Sequence, residues 1–431
     1  MPDLDATDMP IHWTKDPRAG TAESPIPLTP NQHWTIDPET GKRVVDFDFV
    51  EEPLGMPAER GLGFPQFDFG DVLQGYTVLR KLGWGMTSST CSQQFFALKA
   101  LSGHWTELSQ TGRTWELHAL EQVKSKPHSH CLQLLENFIV AGKGSAGSHL
   151  CLVTPLLGGD IKNYARTRNI LRFPLSIAKA ILRDVLRALA CMHECGVIHT
   201  DLKSDNVLFD NSLTCEEISS ILRSDPSRRQ AAEASWDGIV HAALSQPLPM
   251  PVIQDFAERS FILGDLGSAQ PIDPEQRTTD IITPPALRAP EVYLGGPWNE
   301  KVDIWSFGCL VYEVTVGLPL FSGKPLSING VELDETEGIL FEMTAHAHEF
   351  FWGDQLSVSK NAGLWFTSDC WLKKNPPAYA LQTETFITKH SDGDVGLEDA
   401  KEIVRLLRRC LRLDPKNRPS ARELLEDPWF V

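Results

Sequence analysis

The chain has 431 residues, 42% hydrophobic and 23% charged, and its 40 Lys and Arg against 57 Asp and Glu give a formal net charge of −17 at pH 7. That composition suits a globular chain with a real core and excludes a wholly disordered or collagen-like one. The acidic excess argues against broad binding to nucleic acid or an anionic membrane and favours a basic partner.

No run approaches the ~18 apolar residues of a membrane helix. Residues 1–20 mix charged and polar types with no apolar centre, so no signal peptide is expected. Nine scattered cysteines, an odd number, read as reduced thiols.

Residues 1–70, rich in Pro, Gly, Asp and Glu, predict an N-terminal extension, partly disordered. Residues 76–82 read as a strand ending in Gly83-Trp84-Gly85, and residues 95–99 as a second or third strand. Trp115, Leu117, Leu120 and Val123 predict a helix over 113–123. Residues 149–154 form a buried type of strand, broken at Leu157-Gly158-Gly159. Ile177, Ile181, Val185, Leu189 and Met192 then repeat at helical spacing, with Gly196 as the stop. Residues 211–260, mixed Ser, Glu, Arg and Pro, interrupt the pattern as an insertion, part helical and part loose. An apolar helix over 304–316 is entered through Asp303, and 401–413 and 420–425 predict two more. A small strand-rich part thus precedes a larger helical part.

Six short segments carry the chemistry. In order they are Gly83-Trp84-Gly85, Ala97-Leu98-Lys99, Ile198-His199-Thr200-Asp201-Leu202-Lys203-Ser204-Asp205-Asn206, Asp265-Leu266-Gly267, Ala289-Pro290-Glu291 and Asp303-Ile304-Trp305-Ser306-Phe307-Gly308. Alone, each has a bland reading: a hairpin turn, a surface lysine, loop Asp and Asn. Together and in this order they resemble the protein-kinase signature set. The resemblance covers about residues 71–430 and implies an α+β, bilobal protein-kinase fold. Its expected parts are a β-rich N-lobe over 71–157 and a helical C-lobe over 158–431, carrying the insertion.

The resemblance assigns roles residue by residue. ATP would be held by Leu82, Gly83, Trp84, Gly85, Thr90, Ala97, Lys99, Glu116, Thr154 and Leu157. Lys99 would meet the α- and β-phosphates, and Glu116, with Glu107 and Glu121 as rivals, would fix Lys99. Asn206 and Asp265 would hold Mg²⁺; Asp201 would orient the substrate hydroxyl, and Lys203 would stabilise the transferring phosphate. Asp303 would brace the catalytic loop, and Glu291 would form a buried ion pair with Arg418.

Within the kinases, Arg80-Lys81-Leu82-Gly83-Trp84-Gly85, His199-Thr200-Asp201 and Asp265-Leu266-Gly267 resemble the SR-protein kinase family of the CMGC group. That implies phosphorylation of serines in Arg/Ser-rich splicing factors, a monomer in the cytoplasm and nucleus, and no direct nucleic-acid or membrane contact. Most kinases have Arg where this chain has Thr200; Thr cannot grip an activating phosphate, so constitutive activity is expected. The acidic residues Glu332, Asp334, Glu335 and Glu337 would dock the basic substrate. The step from Gly83 to Lys99 is short, requiring a very tight hairpin or a clipped strand. A phosphotransfer-inactive scaffold and a CMGC kinase with another substrate are the alternatives.

Overall fold

The computed structural model describes residues 31–36, 43–83, 86–91, 94–374, 376, 383–390 and 395–430. They form two compact units. The first contains residues up to 111, with 135–156 and 213–247; the second contains 112–134, 157–212 and 248–431.

The first unit is built on a six-stranded antiparallel sheet. Its order is Val72–Leu73, Tyr76–Gly83, Met86–Cys91, Gln94–Ala100, Ser148–Pro155 and Glu136–Ala141. Gly83 pairs with Met86, and Cys91 with Gln94. The short step to Lys99 therefore still holds Met86–Cys91 as a full strand, with none clipped. One face packs Tyr76, Leu98, Ala100, Cys151 and Val153 against Phe67, Phe96, Phe138 and Val140. Alternation along Tyr76–Gly83 breaks at a bulge between Val78 and Arg80, after which the adjacent Arg80 and Lys81 are both buried.

The units differ from the expected lobe boundaries at three places: residues before 71 join the first unit, 213–247 of the insertion belong to the first unit and not the second, and 112–134 belong to the second. Residues 47–69 are packed parts of the first unit, and they meet the insertion there. Phe47 and Met56 share a cluster with Ala234, and Leu54 one with Val240 and Ala242. Asn31 Nδ2 donates to Ala234 O at 3.0 Å. The apolar residues responsible are isolated among Pro and Gly, so they show no period of 2 or 3.6. The helix expected over 113–123 is Glu116–Lys124, in the second unit, and a separate helix, Gly103–Gln110, precedes it in the first. Gly103–Gln110 starts at Ser102, whose hydroxyl accepts from Trp105 N.

In the second unit, Leu175–Glu194 buries the stripe Ile177, Ile181, Val185, Leu189 and Met192, and Gly196 follows at φ +79°. Lys301–Val316 is buried almost all round and stops at Gly317, φ +82°. A Cβ at Gly317 would lie 2.2 Å from Leu171 O, so no larger residue fits. Two small antiparallel sheets frame the loop that carries the chemistry. Val197–Ile198 pairs with Gln270–Pro271, and Val207–Phe209 lies between Phe261–Leu263 and Gly159–Asp160. Among the described residues no helix is long and apolar enough to cross a membrane.

Candidate active site

Those paired strands hold loop 199–206 beside segment 264–269. Gly264 N donates to Asn206 O at 2.9 Å, and His199 Nε2 donates to Gly264 O at 2.9 Å. Asp201 N donates to His199 Nδ1 at 3.2 Å, which fixes the ring's tautomer. Asp303 sits beneath the loop, fully buried. It accepts from His199 N and Thr200 N at 2.8 Å each and from His193 Nε2 at 2.9 Å. Burial opposes its charge, yet the His193 hydrogen bond and field, with His199, hold its carboxyl below the usual range. Asp303 thus bonds the two amides at the head of the loop.

Asp201, Lys203 and Asn206 converge. Lys203 Nζ lies 2.7 Å from Asp201 Oδ2, and Asn206 Nδ2 donates to the same oxygen at 3.0 Å and to Asp201 O at 2.8 Å. Both donors meet Oδ2, so Oδ1 is the oxygen left for another proton. Asp265 follows Gly264 directly and adopts φ +53°, a backbone held against its own preference beside the loop. Oxygen donors at 206 and 265 suit a hard cation such as Mg²⁺. Among the described residues no group of three or more His, Cys, Asp and Glu could hold a metal by itself. A Mg²⁺ here would therefore draw its remaining oxygens from nucleotide phosphate and water.

Thr200 is buried and left-handed, φ +64°, which is costly for a β-branched residue. Its amide bonds Asp303, its hydroxyl donates to Ser268 O at 2.7 Å, and its carbonyl accepts from Thr283 Oγ1 at 2.8 Å. Thr283 is left-handed too, φ +66°, and its carbonyl accepts from Arg288 Nε at 3.1 Å. Thr278 N donates to Gln270 Oε1 at 2.9 Å. Two neutral bonds at Thr200, to Ser268 and from Thr283, thus tie segment 265–288 to the loop. Beyond it, Glu291 and Arg418 form the expected pair. Two bonds of 2.7 Å join the carboxylate to the guanidinium, and both side chains are buried.

The expected nucleotide residues fall on both units. Ala97 lies opposite Thr154 in the sheet, and Lys99, two residues on, shares their face. Ala97 and Thr154 are buried. Leu82 and Gly83 end the first long strand; Thr90 pairs with Thr77 and Phe95. Trp84 and Gly85 lie outside the described residues. Leu157 belongs to the second unit, as does Glu116, the first residue of its helix. Glu116 is buried, whereas Glu107 and Glu121 are exposed, which favours Glu116 for the helix carboxylate role.

The four docking acids are not equivalent. Asp334 and Glu337 form a capping box at the start of Glu335–Ala347, and Glu337 also pairs with Lys374 at 2.6 Å. Only Glu332 and Glu335 stay exposed outside the box. Sequence reasoning missed a second acidic group, which lies beside the catalytic loop. Lys162 bonds Asp205 at 2.9 Å, and that bond, with the fields of Asp205, Glu313 and Asp160, raises its pKa. Burial raises the carboxyls of Asp160 and Glu313, and Ser204 Oγ donates to Glu313 at 2.6 Å. No local pattern links residues 160, 205 and 313; only the fold collects them.

Residues 76–430 match the protein kinase domain family. A serine/threonine protein kinase of Aspergillus fumigatus is 30% identical over 414 residues, covering 90% of this chain and 93% of its own. The serine/threonine-protein kinase SRPK of Physarum polycephalum is 26% identical over 421 residues, covering 89% and 92%. A crystal structure of a kinase domain superposes with a TM-score of 0.59 at 20% identity, covering 86% of this chain and 99% of that one, a likeness of fold. The chain belongs to the protein kinase domain family, as a serine/threonine kinase of the SRPK and related CMGC type.

Proposed function

We propose that this kinase transfers phosphate from ATP to serines in basic, Arg/Ser-rich proteins, and that it does so without an activating phosphate. Mg²⁺·ATP supplies the phosphoryl group and the neutralising charge when bound, with Asn206 and Asp265 as the metal's protein ligands and Lys99 on the phosphates. Asp201 Oδ1 accepts or orients the serine hydroxyl proton. Lys203 and Asn206 hold the carboxylate through Oδ2, and Lys203 faces the developing charge. The scaffold reading would be favoured by a missing group in this set, yet Lys99, Asp201, Asn206 and Asp265 are all present.

The carrying observation for phosphate independence is Thr200, whose hydroxyl bond to Ser268 O spans the two segments that an arginine and a phosphate would otherwise bridge. Protein made in bacteria and treated with phosphatase should keep its full rate. Loss of activity after treatment would show a phosphate switch among Thr278, Thr279 and Thr283. The same reading has a monomer acting in the cytoplasm and nucleus.

Charge supports the basic substrate: a net −17 for the chain, with Asp160, Asp205 and Glu313 close to the catalytic loop. An Arg-Ser repeat peptide should be preferred to a neutral serine peptide by kcat/KM, with the preference falling as salt rises from ~0.1 M to ~1 M. Each exposed ion pair contributes only ~0–1 kcal/mol. Glu332→Lys/Glu335→Lys, which spares the capping box, should therefore weaken peptide binding by a few fold. Asp205→Asn should raise the peptide's KM too, with ATP affinity unchanged. If neither variant alters peptide KM, the basic residues are read elsewhere.

A further inference from the structure

The strand Tyr76–Gly83 is irregular at the end nearest the phosphate turn. Its ladder with Met86–Cys91 shifts register between Val78 and Arg80 and again between Lys81 and Gly83. A bulge leaves its extra residue without a ladder partner and disrupts the ladder locally. The insertion bonds this stretch of backbone: Ser227 Oγ donates at 2.6 Å to the carbonyl of Leu79, the residue the first shift skips, and Gln246 N donates to Lys81 O at 2.8 Å, just before the second shift. The side chains are gripped as well. Lys81, 5% exposed, bonds Glu51 Oε2 at 2.6 Å and also meets Glu52, both themselves buried. Ser245 donates to Glu51 from its amide at 3.1 Å and from its hydroxyl at 2.9 Å, which offsets the second buried carboxylate. Arg80, 1% exposed, bonds the backbone of Asp225, whose carboxylate accepts from Gln246 Nε2 at 3.0 Å.

We propose that Glu51 and Glu52 from the N-terminal segment, with Ser227, Ser245 and Gln246 from the insertion, form a clasp that sets the register of residues 78–83 and hence the place of the phosphate turn. They are positioning residues for ATP, acting through Lys81 and the strand. The clasp gives both additions to the kinase core one shared role, since both hold the strand beside its two register shifts. Burial opposes the Glu51 charge, and the bonds from Lys81 and Ser245 overcome that and hold its carboxyl below the usual range.

This inference rests on the reading of Gly83 to Gly85 as the phosphate turn, so two readouts are needed. The first is amide hydrogen exchange of the nucleotide-free full chain. Glu51→Gln/Glu52→Gln and the milder Ser227→Ala should speed exchange at residues 78–83 by ~10-fold, the equivalent of ~1.4 kcal/mol, while Ser148–Pro155 is unchanged. The second is steady-state kinetics. KM for ATP should rise ~10-fold in the double variant and a few fold in Ser227→Ala, with KM for peptide unmoved and Lys81→Arg close to the parent. A merely structural role would speed exchange throughout and leave KM for ATP alone, and that result overturns the clasp. Should the double variant fail to fold, Ser227→Ala decides: exchange and KM both within twofold of the parent overturn the proposal. A parent chain that neither binds nor uses ATP would instead overturn the kinase reading beneath it.

Discussion

Asp201→Ala should lower the phosphorylation rate by ~10²–10⁴-fold, the range for losing a positioned general base, while ATP still binds and the chain stays folded. The carboxylate is close to ideal for that role. Its Oδ2 is held at 2.7 Å by Lys203 and at 3.0 Å by Asn206, so the group cannot rotate away from the substrate side. The loop beneath it is over-determined: Asp303 takes two backbone amides, and the His199 ring links Asp201 N to Gly264 O. Such bracing is needed because Thr200 and Asp265 both sit in strained backbone, at φ +64° and +53°. Asp201→Asn should be nearly as slow, since an amide keeps the shape but cannot take the proton. Asp265→Ala should abolish Mg²⁺-dependent turnover. Near-parental rates in Asp201→Ala and Asp265→Ala would leave the catalytic assignment without support.

The catalytic loop was legible because its residues lie within eight consecutive positions, where spacing and identity travel together in the sequence. Asp303 and the pair Glu291 and Arg418 were legible only through the family pattern; nothing local says that residues 291 and 418 meet. Two things were not legible, and a third was legible but outweighed. The packing of residues 47–69 with the insertion depends on single apolar residues, Met56 and Leu54 among them, whose neighbours carry no period. The acidic group of Asp160, Asp205 and Glu313 is scattered along the chain and gathered by the fold around Lys162. The capping box at Asp334 had a readable signal, an Asp followed three residues later by Glu before an apolar run, but it was outweighed by the count of acids. Counting charge treats every carboxylate as available, whereas two of these four stabilise a helix start.

The largest expected loss of stability lies away from the chemistry, at Glu291 and Arg418. Glu291→Gln or Arg418→Met should each destabilise the chain by ~3–5 kcal/mol, because one partner of a buried, two-bond ion pair is then left without compensation. A typical stability is only ~5–15 kcal/mol, so either variant removes a large fraction of it. The two should not be equal. Arg418 also donates from Nε to Arg412 O at 2.8 Å and from NH1 to Lys301 O at 3.0 Å, and its guanidinium lies 5.1 Å from the centre of the Trp305 ring. Arg418→Met therefore gives up these bonds as well and leaves the Glu291 carboxylate buried without its partner. Glu291→Gln leaves a guanidinium that cannot lose its charge. Glu291→Leu/Arg418→Met should recover part of the stability, since the desolvation penalty of both charges disappears together. Its rate should not recover in step: Glu291 lies three residues beyond Arg288, whose bond to Thr283 O steadies the contact of Thr283 with Thr200 O, and apolar packing cannot reproduce the fixed direction of two parallel bonds. Urea midpoints and kcat measured on the same three variants test this. Single variants losing under ~1 kcal/mol, or a double variant that recovers rate and stability together, would show that the pair does not fix the end of the segment.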